Sequence, residues 1–496
     1  MKWALYNLLF AAVYPFLLPG FLLRMLRRGG YAARMGDRFA LYPEEIMSRI
    51  ASLASNSRSA GWVWIHAVSV GEVQVAGQLM REWRKVEPDV RFCFSTTSST
   101  GWKIAEKELA SLNLATPQPR NPATVSDVLI YNPLDFPNFV KSSLRTVRPR
   151  AIVLTESEIW PNFILQAKKM GIPLFLINAR VSDRSAPRYK AAKWFFGEVL
   201  SSFTRIFAQS DLDRARLVAA GAPTEKVEVT GSFKFDVARR NVDKERELRK
   251  WILGSDSVGL GSNSVGLGSD RVGSGAMDLN STLNVPKILL GGSTWPGEDE
   301  VLLRIYRKIL DSAVHLHLSP SPLLVLAPRH FEKADAVEAN IRKYGFACIR
   351  RSREVENRGV GGQRCKDSTV HLHLSPPPVY LADTTGELMG LYGIADVVFV
   401  GKSLCAHGSQ NMIEPCLCGK PTLVGPYTEN FRPVMSDLLA PNAIIQVKDA
   451  KELEEKVGEC LEGLGSLEGL GERAKAAVEK RLGVVAKCVE EIRGVL

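Results

Sequence analysis

The chain has 496 residues, 45% hydrophobic and 24% charged, with 64 Lys and Arg against 53 Asp and Glu for a formal net charge of +11. Its length allows two or three domains, each burying its own core, and its composition is that of an ordinary globular protein. The positive excess asks for an anionic partner, whether nucleic acid, membrane or phosphorylated substrate. Eight cysteines without a C-x-x-C pair suit a reducing compartment.

The first predicted element is the uncharged stretch Trp3 to Leu23, about as long as a bilayer core requires. Arg24, Arg27, Arg28, Arg34 and Arg38 follow it, and only Lys2 precedes it. That order places the bulk of the protein on the cytoplasmic side and is the reverse of a cleaved signal peptide. The expectation is a membrane anchor over residues 1–30 that spans the bilayer. Because Pro15, Pro19 and Gly20 weaken a helix there, an interfacial helix is the alternative.

Six strand-like runs follow between Val63 and Ser232: VWIHAV, VRFCFSTT, AIVLTE, IPLFLINA, RIFAQS and VEVTGS. Amphipathic stretches such as VQVAGQLMREWRKV separate them. A second series, KILLGGS, LLVLAPRH, CIRRS, VYLAD, VVFVGKS and PTLVGP, repeats the alternation. Strands alternating with helices predict an α/β fold with two Rossmann-like domains, each on a parallel sheet. Between them GSDSVGLGSNSVGLGSDRVGSG has little to bury and reads as a flexible loop. Two blocks, VHLHLSPSP and VHLHLSPPP, read as a repeat inserted into tolerant loops rather than as metal sites, and the spacing of Cys405, His407, Cys416 and Cys418 does not favour zinc.

Ligands of open parallel sheets bind beyond the carboxyl ends of the strands, and the polar motifs fall there. Ser69-Val70-Gly71-Glu72 is a capping box, and on spacing alone Glu72 is a helix cap rather than a catalyst. Glu156 and Glu158 follow a strand in LTESEIWPN, as helix punctuation or as groups that orient a sugar. Arg180, Arg184 and Arg188 end the next strand, and Lys234 closes the series; guanidinium forks suit phosphate or carboxylate, solvated surface arginines being the alternative. In the second half, GGSTWPGEDE with Ser293 and Thr294 is a Gly-rich turn able to cradle an anion. Arg329 and His330 end a strand, Gly386 and Glu387 sit at a helix start, and Gly408 to Asn411 opens a helix carrying Glu414.

As a set these motifs resemble the 3-deoxy-D-manno-octulosonic acid (Kdo) transferases of lipopolysaccharide synthesis. HAVSVGEV, TESEIWPN, NARVSDRS, TGSFKFD, GGSTWPGEDE, APRH, GELMGLYGIADVVFVGKSL, GSQNMIEP and GPYTENF carry the resemblance in order, from about Tyr31 to Asp236 and from about Lys287 to Asp449. It implies a GT-B fold, two Rossmann-like domains facing across a cleft, behind an N-terminal membrane-anchoring helix. The implied division is an anchor (1–30), an acceptor domain (31–236), a Gly/Ser-rich insertion (237–284) and a CMP-sugar-binding domain (285–496).

The resemblance implies inverting transfer of Kdo from CMP-Kdo to a lipid A precursor at the cytoplasmic face of the bacterial inner membrane, with Glu72 as general base. The implied CMP contacts are Pro328 and Arg329, Gly386, Glu387 and Leu388, and Asn411, Met412, Ile413 and Glu414. Glu156, Glu158, Arg180, Arg184, Lys234, Ser293, Thr294 and Asn430 are candidate contacts to acceptor or donor carboxylate. No metal or other cofactor is expected, and no nucleic acid; an anionic membrane surface is. The rival readings are a GT-B enzyme using a UDP-sugar and an inactive membrane-bound binding protein. Gly408-Ser409-Gln410-Asn411-Met412-Ile413-Glu414-Pro415 departs from the usual G-G-H-N-P-L-E-P, Lys402 stands where glycine is usual, and Trp295 where histidine is frequent.

Overall fold

The computed structural model describes residues 2–28, 32–51, 61–114, 127–237, 240–254, 285–315, 320–359, 375–463, 467 and 469–496. Most of the Gly/Ser tandem segment, residues 316–319 of the first HLHLSP block and residues 370–374 of the second lie outside them. The described chain forms two compact units, Met1–Val237 with Arg481–Leu496, and Ala238–Lys480.

The first unit is built on a parallel sheet of β1 (Trp62–His66), β2 (Arg91–Thr96), β3 (Val128–Tyr131), β4 (Pro149–Thr155), β5 (Leu174–Ala179), β6 (Arg205–Ala208) and β7 (Val227–Val229). Their order is β3-β2-β1-β4-β5-β6-β7. The chain winds outward from β1 to one edge, then returns to β4 and winds to the other, so the switch point lies between β1 and β4. Helices cover both faces, which explains why β1 and β5 are buried along their whole length. β3 is an edge strand of four residues, too short to stand out in the sequence.

The final helix, Val484–Arg493, belongs to this unit, which differs from the expected division at 285–496. Val485, Cys488, Val489 and Ile492 share a core cluster with Val73, Ala76 and Met80 of the helix Val70–Val86. The Asp236 carboxylate fixes its start, accepting the backbone N–H of Gly483 and of Val485, each at 2.7 Å.

No helix among the described residues is long and apolar enough to cross a membrane, so the expected span is not found. The helix Lys2–Arg28 instead docks its first turns on the first unit. Trp3 and Tyr6 pack on Phe195 at 5.3 and 5.5 Å between ring centroids, and Phe10 and Tyr14 on Phe136 at 5.0 and 5.7 Å. Polar bonds fasten this face: Trp3 Nε1 donates to Glu198 at 2.7 Å, the Tyr6 hydroxyl to Asp135 at 2.9 Å, and Asn162 Nδ2 to Asn7 Oδ1 at 2.8 Å. The other face exposes Leu5, Leu8, Leu9, Val13 and Phe16.

The second unit carries β8 (Ile288–Thr294), β9 (Leu323–Pro328), β10 (Cys348–Arg350), β11 (Val379–Leu381), β12 (Val397–Val400), β13 (Thr422–Val424) and β14 (Ile445–Gln446). The order is β10-β11-β9-β8-β12-β13-β14, again parallel, with the switch point between β8 and β12. At that centre a Cβ on Gly401 would collide with the Ser293 carbonyl oxygen, which is why the turn after β12 begins with glycine.

Candidate active site

Glu72 follows β1 and Glu156 follows β4, so the two carboxylates flank the switch point of the first sheet. The capping box forms as its spacing predicts: Ser69 is the N-cap, and its hydroxyl oxygen accepts the Glu72 N–H at 3.3 Å. The Glu72 side chain turns back to the same corner. Its Oε1 lies 2.8 Å from the Ser69 hydroxyl, and its Oε2 accepts from the Val68 N–H at 2.9 Å and lies 3.2 Å from the Thr155 hydroxyl at the end of β4. Thr155 was not foreseen as a partner. The bonds that cap the start of the helix also fix where the Glu72 carboxylate points.

Beyond Glu72 lies a cluster drawn from the ends of β4 and β5 and from TGSFKFD. Glu156, in the left-handed region at φ 48°, accepts from Asn178 Nδ2 at 3.3 Å, and Arg180 Nε stands 3.6 Å from its other oxygen. Burial pushes the Glu156 carboxyl up from its ordinary value, and the charges of Arg180 and Lys234 pull it back. Burial pushes the Lys234 ammonium down against the attraction of Glu156. Glu158 accepts from Trp160 Nε1 at 2.9 Å and lies 3.6 Å from His66 Nε2. The cluster sets the cations Arg180 and Lys234 among the carboxylates Glu72, Glu156 and Glu158, groups able to pair with an anionic, hydroxyl-bearing ligand. Arg184 is not brought into it; it is exposed in the loop after β5, among residues the Arg216 guanidinium holds through Val181 and Asp183.

In the second unit the candidate residues divide into available and committed groups. Arg329 is exposed at the end of β9, its N–H held by the Thr294 carbonyl at 3.0 Å. Asn411 lies just before the short helix Ile413–Leu417: its Oδ1 accepts from the Ile413 N–H at 3.1 Å, and its Nδ2 donates to Glu414 at 3.0 Å. Burial pushes Glu414 up, opposed by Asn411 and then by the charge of Arg329. Gly386, at φ 81°, is open to solvent, and Asn430 is exposed beside Gly408.

The Glu387 side chain is committed elsewhere. It is buried against Arg351 at 3.0 Å, Lys244 at 2.7 Å and Thr384, with Arg351 also on Glu247. Burial works to raise its carboxyl, but these donors outweigh it and hold it below the usual range. What Gly386 to Leu388 offer a nucleotide is therefore backbone. Met412 and Ile413 are likewise buried, as are the side chains of Ser293 and Thr294.

Sequence reasoning passed over Glu298. This fully buried carboxylate accepts backbone N–H groups from Trp295 and Lys402 at 2.7 Å, Ser403 and Leu404 at 3.0 Å, and Cys405 at 3.3 Å. It organises the turn that leads from β12 to Asn411 and Glu414. Burial pushes the nearby Cys416 thiol up to about 12 and Cys418 to about 11, away from thiolate.

Two parallel-sheet units with polar groups at their switch points define a GT-B-like α/β fold. The UDP-GlcNAc 2-epimerase of Neisseria meningitidis shares this fold at a TM-score of 0.52, with 14% identity over 87% of this chain and 98% of that one. Residues 33–237 match the family described as 3-deoxy-D-manno-octulosonic-acid transferase (kdotransferase). The 3-deoxy-D-manno-octulosonic acid transferase of Haemophilus influenzae is 29% identical over 93% of this chain and 91% of its own length. That of Bordetella pertussis is 29% identical, with 93% of each chain covered. Over most of its length the chain is thus similar to Kdo transferases, which are glycosyltransferases.

Proposed function

We propose that this chain transfers Kdo from CMP-Kdo to a lipid A precursor in lipopolysaccharide synthesis, with inversion at the anomeric carbon and Glu72 as general base. The observation that carries this reading is the Glu72 carboxylate, fixed at the first switch point by Val68, Ser69 and Thr155 beside the basic groups Arg180 and Lys234. Glu72 takes the proton of the acceptor hydroxyl as that oxygen attacks the anomeric carbon, and the bond from that carbon to the CMP phosphate oxygen breaks. Arg180 and Lys234 hold the donor carboxylate or the acceptor phosphates.

CMP leaves as a monophosphate, whose charge Arg329 stabilises together with backbone N–H groups, with no divalent metal. Pro328, the backbone of Gly386 to Leu388, Asn411 and Glu414 form the rest of the nucleotide site. The exposed face Leu5, Leu8, Leu9, Val13 and Phe16 seats the protein in the cytoplasmic interface of the inner membrane. The net charge of +11 favours an anionic leaflet and an anionic acceptor. The test is incubation with a lipid A precursor and either CMP-Kdo or a panel of UDP-sugars. Kdo mass increments on the lipid are expected, and transfer from a UDP-sugar alone would overturn the donor assignment.

A further inference from the structure

Backbone strain in the second unit gathers at its switch point. Ser293 at the end of β8, Lys402 just after β12, and Ser409 in the following turn all lie in the left-handed region, at φ 53°, 55° and 60°. That region suits glycine and strains a residue that carries a β-carbon. Such strain persists only where the surroundings over-determine it, and it collects at ligand sites. Lys402 is over-determined in this way. Its N–H is held by the Glu298 carboxylate at 2.7 Å and its carbonyl by the Ser409 N–H at 2.7 Å, while Gln410 N binds the Gly401 carbonyl at 3.1 Å. Lys402 is thus tied directly to the residues that lead into Asn411 and Glu414.

The Lys402 side chain has no ion-pair partner among the described residues. Its ammonium rests over the Trp295 ring, 5.0 Å from the centroid, and the same ring meets His330 edge-on at 4.9 Å. Trp295 follows Thr294, whose carbonyl holds the Arg329 N–H. β9, β8 and β12 are neighbours in the sheet, so Lys402, Trp295 and Arg329 follow the carboxyl ends of three adjacent strands. A buried-stem cation on an aromatic face is held in place without being neutralised.

We infer that Lys402, positioned by Trp295, is a further binding residue for the anionic groups of the donor, the phosphate or the sugar carboxylate. The inference rests on the donor reading proposed above and adds a cation to it. Two of the positions at which the sequence departs from the family pattern, Lys402 and Trp295, are in contact, so these two departures act as one unit. A lysine that served only to fill space gains nothing from a strained backbone that glycine occupies freely.

The test uses the full chain, wild type beside Lys402→Gly and Lys402→Gln, titrated calorimetrically with cytidine, CMP and CMP-Kdo, with thermal unfolding of each protein. Glycine suits φ 55°, so Lys402→Gly is expected to unfold at the wild-type temperature or above it. Both variants are expected to bind CMP-Kdo about tenfold more weakly, the loss of one charge-assisted contact, and cytidine unchanged. A parallel loss for CMP assigns the contact to phosphate; a loss for CMP-Kdo alone assigns it to carboxylate. Wild-type affinity for CMP-Kdo in both folded variants would overturn the inference while leaving the donor reading intact. A wild-type chain that binds none of the three ligands would overturn both.

Discussion

The Thr155 hydroxyl, at the end of β4, lies 3.2 Å from the Glu72 carboxylate at the start of the helix after β1. It thereby bridges the two strands whose parting makes the first switch point. Replacing it with valine keeps the β-branched shape and removes the donor. A hydrogen bond to a carboxylate is worth about 1.5 kcal/mol or more. Thr155→Val should therefore lower kcat roughly tenfold, with KM for CMP-Kdo unchanged. Steady-state kinetics on the folded variant check it.

Glu298 holds five backbone N–H groups of the second unit from a fully buried position. Glu298→Gln keeps one acceptor and turns an amide toward donors that need an anion. Hydrogen bonds to a charged group are worth about 1.5–3 kcal/mol each, so the unfolding temperature should drop by several degrees. CMP affinity should fall with it, because the turn carrying Lys402, Asn411 and Glu414 loses its anchor. Thermal unfolding with and without CMP separates the two effects.

Asp135 reports on the docking of the first helix. Burial raises its carboxyl from 3.8 to about 7, against the pull of the Asn162 and Phe163 N–H groups and the Tyr6 hydroxyl. The folded state therefore holds this proton more tightly than the unfolded state does. The contribution is fully present below about pH 4, declines between the two values and is gone above about pH 7. Between pH 6 and pH 8 the wild type should lose stability, and Asp135→Asn, which cannot titrate, should lose less. Matched thermal melts at the two pH values check it.

The exposed face of the first helix is a membrane contact in this account. Leu8→Glu with Phe16→Glu places charge on that face, away from the docked ring stripe of Trp3, Tyr6 and Phe10. Binding to vesicles rich in anionic lipid should fall about tenfold or more, with the unfolding temperature unchanged. Vesicle co-sedimentation and a melt read the two arms.

Much of the fold is legible because strands buried on both faces write continuous apolar runs, as IPLFLINA does for β5 and LLVLAPRH for β9. β3 is hidden because four residues at a sheet edge leave little pattern. The last helix shows its apolar stripe in the sequence, but a stripe does not say which sheet it serves. Its assignment to the first unit depends on Asp236, some 250 residues away. Ser69 and Glu72 are readable as a box because capping is local; Thr155 is not, since only the sheet brings β4 beside β1. Glu387 looked like a ligand contact from its motif, and its side chain proves to be held by Arg351 and Lys244. The uncharged N-terminal stretch gave the helix but not its docking, because an aromatic stripe that packs on protein has the same composition as one that faces lipid.

The central claim is that Glu72 is the base of a Kdo transfer. The most direct measurement is a mass spectrum of a lipid A precursor after incubation with CMP-Kdo and either the wild type or Glu72→Gln. The amide retains an acceptor for the Val68 N–H and the shape of the cap, so the variant is expected to fold. The account predicts Kdo increments with the wild type and a loss of rate of about 10²- to 10⁴-fold with the variant. Wild-type increments at an unchanged rate from folded Glu72→Gln would contradict it, leaving Glu72 as a helix cap alone.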